Sequence, residues 1–168
     1  MAKIDKAALL RRIRFWLVIF IAGLVASGLT AFPLQAELKW LNHLLGVTAV
    51  TPSGAEPGLH TWLRRVLDGV TTTNRNYPFL AYGTDWLAFG HFAIAVAFLG
   101  PLRDPVRNRW VLMFGLIACA GVVPLALIAG AARGIPFYWR LIDVSFGVFG
   151  AVPLLICLRY VRRLERLG

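Results

Sequence analysis

Charge is scarce in this chain, and negative charge scarcer still. Of 168 residues only 15% are charged, and just eight are acidic. A soluble domain carries roughly 25% charged residues, so ordinary soluble composition does not describe this protein. Cysteine is almost absent as well. Cys119 and Cys157 stand far apart within apolar runs, with no Cys-x-x-Cys spacing, which argues against a zinc site or a thiol redox pair. They read as buried free thiols that pack as small apolar groups. Histidine is limited to His43, His60 and His91. Only His91 falls in an apolar run, whereas a bis-histidine haem needs two axial ligands at suitable depth. Ser27, Thr30, Thr84 and Ser145 are isolated hydroxyls without the context of a nucleophile and its base; such groups commonly bond back to helix carbonyls.

What the chain does have is hydrophobic length. Apolar residues make up 58% of it, the mean hydropathy is +0.68, and four long runs dominate. The net charge of +10 is distributed unevenly around them. Lys3, Lys6, Arg11, Arg12 and Arg14 precede the first run. Arg103, Arg107 and Arg109 lie between the second and third, and Arg159, Arg162, Arg163 and Arg166 close the fourth. Against these twelve stand three acids, Asp5, Asp104 and Glu165, leaving +9 there and +1 on the alternate side. Basic residues gather on the cytoplasmic side of membrane proteins, so both ends are expected in the cytoplasm, in the cell's inner (plasma) membrane. That side would also attract anionic lipid headgroups. Nucleic acid is not expected as a partner, since the basic clusters hug span ends and no recognition motif accompanies them.

Taken in order, Ala2–Arg14 predicts a basic amphipathic segment on the cytoplasmic surface, with Leu9, Leu10 and Ile13 on one side. Phe15–Ala31 is the first span, ended by Pro33. Residues 33–81 form an extracytoplasmic loop. Within it Leu34, Leu38, Leu41 and Leu45 share a helical face, and Gly46 follows as a stop. Thr51–Gly58 is turn chemistry. Leu59, Trp62, Leu63, Val66, Leu67 and Val70 mark a second amphipathic helix, which Thr71–Asn76 ends. Two such short helices need the bilayer or the bundle's mouth for their apolar faces. The second span is Tyr82–Leu99, stopped by Gly100-Pro101. Asp104 and Pro105 then signal a helix start, and the third span is Val106–Ala131, kinked at Pro124. Arg133–Pro136 turns the chain into the fourth span, Phe137–Arg163, where Gly147, Gly150 and Pro153 thin or bend the helix. Trp16, Trp110 and Tyr160 fall at one set of span ends, and Tyr82, Trp86, Tyr138 and Trp139 at the other, as interfacial belts do. The expected fold is an all-α, four-span antiparallel bundle, one integral membrane domain over residues 1–168, with two amphipathic helices in its outer loop.

Ionisable residues inside spans are costly and tend to mark function. Asp85 lies one turn below the outer interface. His91 is six residues further on, about 9 Å deeper. Arg140 and Asp143 share a face at the start of the fourth span, and Arg133 sits in the adjoining turn. The functional reading is an outward-facing polar pocket between the second and fourth spans, formed by Asp85, His91, Arg133, Arg140 and Asp143. It would take a lipid or a small polar ligand. The structural alternative is a salt-bridge cluster that fixes helix packing, with His91 bonded to a carbonyl or hydroxyl. Three functions remain open: a non-enzymatic binding or accessory component, a membrane enzyme or haem or metal carrier using His91 and Asp85, and an oligomeric transporter for small solutes. A homo-oligomer or a membrane-protein partner fits any of them. No cofactor and no metal site is expected from the spacing.

Overall fold

The computed structural model describes residues 6–47 and 58–167. The turn segment expected around Thr51 and the first residues of the amphipathic N-terminus lie outside them. The described residues form helices: α1 (Lys6–Ala31), α2 (Leu34–Leu44), α3 (Leu59–Asn76), a 3₁₀ turn (Pro78–Ala81), α4 (Tyr82–Ala97), α5 (Leu99–Arg103), α6 (Arg109–Pro124), a π-helical turn (Leu125–Ala129), α7 (Gly130–Ala132) and α8 (Phe137–Glu165). Four stretches are long and apolar enough to cross a membrane: Lys6–Ala31, Pro78–Arg103, Arg109–Ala132 and Phe137–Glu165. In their most apolar windows only 17–28% of residues are buried by protein. The remaining apolar surface needs a non-aqueous solvent, and a lipid bilayer is one. This is a multi-pass membrane protein.

The described residues group into two compact units, one drawn from Met1–Leu24 with Ala93–Gly168, the other from Val25–Phe92. In the first, α6 and α8 run antiparallel, and their register can be read from side chains. Arg140 lies over Gly130, Gly147 meets Cys119, Leu154 meets Gly115, and Arg109 pairs with Glu165 at 3.5 Å. The small residues at Gly115 and Gly147 let the helices approach closely, as membrane helices commonly do. One apolar cluster joins Leu9, Ile13 and Leu17 of α1, Phe98, Leu112, and Leu154 to Leu164 of α8. The Cys157 thiol donates to the Ile13 carbonyl at 3.6 Å.

Several sequence expectations are corrected here. Residues 6–14 are helical and are not set off from the first span by a break. They continue into α1, because Leu9, Ile13 and Leu17 recur every fourth residue and are almost wholly buried. Gly100-Pro101 does not stop the second span. The helix breaks at Phe98 and resumes as α5, and Pro101 falls in that new first turn, where a missing N–H costs nothing. Asp104 caps a turn rather than α6: its Oδ1 accepts from the Arg107 N–H at 3.0 Å. Asn108 holds that turn closed, its Nδ2 donating to the carbonyls of Gly100 at 3.2 Å and Asp104 at 2.9 Å. At Pro124 the backbone widens into the π-helical turn, a known way of absorbing the lost hydrogen bond.

In the second unit α2 and α3 pack against each other. Leu38 and Leu63 are buried between them. Asn42 Nδ2 donates to the carbonyls of Leu38 at 2.8 Å and Leu63 at 3.5 Å. Gln35 lies opposite Thr71 and Asn74, so the pair is antiparallel. Gly46 closes α2 with a left-handed φ of +63°, and the Val47 N–H reaches back to the Asn42 carbonyl at 2.9 Å. The polar run Thr71–Asn76 forms the last turns of α3, and the helix ends with it at Asn76. Gly28 of α1 sits against the Ala88 carbonyl and the Phe92 ring, and Phe32 stacks on Phe92 at 6.1 Å.

Candidate functional site

The second unit contains a cleft of about 540 Å³ between the α1–α2 turn, α2, α3 and the start of the second span. Phe32, Leu34, Val70 and Leu80 give it apolar walls; Gln35, Lys39, Thr73, Asn74 and Thr84 give it polar ones. Gln35 and Lys39 are one turn apart on α2 and therefore share a face. The Gln35 amide is fixed in orientation. Its Nε2 donates to Thr71 Oγ1 at 3.2 Å, and its Oε1 accepts from Asn74 Nδ2 at 3.0 Å. That leaves the Asn74 carbonyl oxygen as an acceptor and the exposed Lys39 ammonium as a cation at the rim. Thr84 turns its hydroxyl onto the Ala81 carbonyl at 2.6 Å, which satisfies the start of α4. The cleft thus offers an apolar bed beside one positive charge and preset amide groups.

The residues singled out from sequence divide between the units. Asp85 and His91 belong to the second, both half-buried on α4. The His91 Nδ1–H donates to the Leu87 carbonyl, one turn back on the same helix, at 2.8 Å. The imidazole is therefore held by its own helix. Arg133, Arg140 and Asp143 belong to the first unit. Arg133 is exposed at the end of α7, while Arg140 and Asp143 are half-buried on α8.

No ion pair joins either arginine to Asp143 among the described residues. Arg140 is engaged otherwise. Its Nη1 donates to the Leu127 carbonyl at 3.2 Å, its guanidinium lies 5.2 Å from the centre of the Phe137 ring, and its methylenes cover Gly130. A cation there sits near the negative end of the third span's helix dipole, which explains why the backbone takes it in preference to the carboxylate.

His43 and His60 are exposed. Among the described residues no three His, Cys, Asp or Glu side chains come together as metal ligands would. The cleft residues Gln35, Lys39, Thr73 and Asn74 carry no motif. Their signal in the sequence is only a polar pair one turn apart on α2 and a polar run at the end of α3. Compared with known proteins, the chain matches no family model, no curated protein and no solved structure.

Proposed function

We propose that this protein resides in the inner (plasma) membrane with both ends in the cytoplasm. Its four spans would form an antiparallel bundle, and its activity would be that of a non-enzymatic binding or accessory component. The orientation follows from the +9 against +1 division of charge between alternate sides of the spans. It places α2 and α3 on the outer face as an amphipathic hairpin. Trp40, Leu44 and Leu59 are exposed there and would rest at the outer interface, where aromatic and apolar side chains find both lipid and water.

The ligand site on this reading is the α2–α3 cleft, and its occupant is a single-chain amphiphile with an anionic or carbonyl-bearing head. One observation carries this: apolar walls beside Lys39 and the immobilised Gln35–Asn74 amides, all lining the same space. Apolar lining with a few fixed polar groups is the usual make-up of small-molecule sites. A photoactivatable fatty acid added to the protein in nanodiscs tests it. Adducts are expected on the peptides containing residues 32–39 and 69–84, with yields several-fold lower in Lys39→Glu. Adducts confined to the membrane-spanning faces, or a Lys39→Glu yield equal to wild type, would overturn the assignment.

A further inference from the structure

A second groove, of about 380 Å³, lies in the first unit between α6 and α8. Met113 and Ile117 of α6 and Leu155 and Leu158 of α8 line its length, and Arg109, Arg159 and Arg162 line one end. The arrangement follows from helical spacing. Arg109, Met113 and Ile117 recur every fourth residue on α6, as Leu155, Arg159 and Arg162 recur every three or four on α8, so each helix contributes one stripe. Along α6 the change from guanidinium to apolar side chain extends over about 12 Å. Ile117 and Leu155 are exposed, so the apolar stretch opens sideways towards the surroundings of the spans. Glu165 pairs with Arg109 through Nη1 at 3.5 Å and offsets one of the three positive charges. Arg109 Nε is buried and has no hydrogen-bond partner among the described residues. A buried donor of that kind is costly unless an acceptor completes it.

We infer that this groove is a binding site for one anionic phospholipid. Its phosphate would be held by Arg109, Arg159 and Arg162, and one acyl chain would lie along Met113, Ile117 and Leu155. Charge complementarity selects this occupant: three arginines against one carboxylate at the head end, no charge along the tail. Arginine suits it, since its planar fork binds phosphate through more than one N–H. A zwitterionic lipid gains less, because its own cation faces the same arginines. The site shares with the reading above only the embedding of the spans in lipid, and it stands or falls apart from the α2–α3 cleft.

Native mass spectrometry of the full-length protein released from mixed phosphatidylglycerol and phosphatidylcholine nanodiscs tests the assignment. Wild type is expected to retain one phosphatidylglycerol in preference to phosphatidylcholine. Arg109→Gln with Arg162→Gln should lower that preference about tenfold. Arg103→Gln with Arg107→Gln, which removes the same charge from the same side of the spans, should leave it in place. The conservative Arg109→Lys keeps the charge and lacks Nε, and it should fall between. Leu155→Ser should weaken retention of the lipid without altering the response to inorganic phosphate. Equal loss in both double variants, wild-type preference in Arg109→Gln with Arg162→Gln, or stabilisation by inorganic phosphate as large as that by phosphatidylglycerol would overturn it. The fatty-acid adducts in the cleft are read separately, so failure of one assignment leaves the other to its own test.

Discussion

A side chain on Gly147 would have its Cβ only 2.6 Å from the carbonyl oxygen of Cys119 and 3.1 Å from the Val122 Cβ. The obstacle is backbone, which cannot rotate away, and α6 and α8 meet at this point. Gly147→Ala should therefore push the helices apart and cost about 1–3 kcal/mol, the usual range for overpacking. A side chain on Gly23 of α1 would point into open space among the described residues. Gly23→Ala should be neutral or stabilising by up to about 1 kcal/mol, since alanine is the better helix former. Thermal unfolding of both variants in one detergent gives the comparison. A lower Tm for Gly147→Ala with no drop for Gly23→Ala is the expected result.

Arg140 and Gly130 should be energetically coupled. A Cβ on Gly130 would lie 2.7 Å from Arg140 Cδ, and that side chain also holds the Leu127 carbonyl. Gly130→Ala should displace the arginine and lose part of a charge-assisted hydrogen bond, costing about 1–2 kcal/mol. In an Arg140→Ala background the same glycine change should cost much less. A double-mutant cycle on unfolding midpoints should return a coupling of about 0.5–3 kcal/mol. Strict additivity would show that the two residues do not constrain each other.

The proposed orientation has a direct check by thiol labelling. Cys119 and Cys157 are replaced by alanine, and single cysteines are placed at the exposed positions of His60, Arg107 and Arg163. In intact cells a membrane-impermeant maleimide should label His60→Cys alone. The Arg107→Cys and Arg163→Cys proteins should react only after the membrane is opened. The reverse pattern would invert the topology, and with it the side to which the α2–α3 cleft opens.

The spans were legible in the sequence because hydrophobic length and punctuation are local signals. Pro33 after the first run, the stop at Gly46 and the turn at Arg133–Pro136 each act within a few residues of themselves. Proline was legible as a disturbance but not as an outcome. Pro101 falls in the first turn of a new helical piece, Pro124 opens a π-helical turn, and α8 continues through Pro153 without a break. Which of these occurs depends on the neighbouring backbone rather than on the proline itself. The candidate sites were harder to read. Gln35 meets Thr71 and Asn74 from 36 and 39 residues away, and Arg109 comes beside Arg159 and Arg162 only when two spans align. No periodicity along one helix reports such meetings. Arg140 shows the converse: a residue marked out by its rarity in a span is absorbed by a backbone carbonyl, a partner that residue type alone does not reveal.

The Cys157 thiol and the Ile13 carbonyl are separated by 144 residues of chain. Leu9, Ile13 and Leu17 leave the ribosome well before the stretch from Leu154 to Leu164 that they pack against. Until α8 has been made, α1 must therefore wait in the bilayer with its packing face towards lipid or an insertion factor. Truncation before α8 would strand that face, and quality-control proteases should remove such fragments quickly.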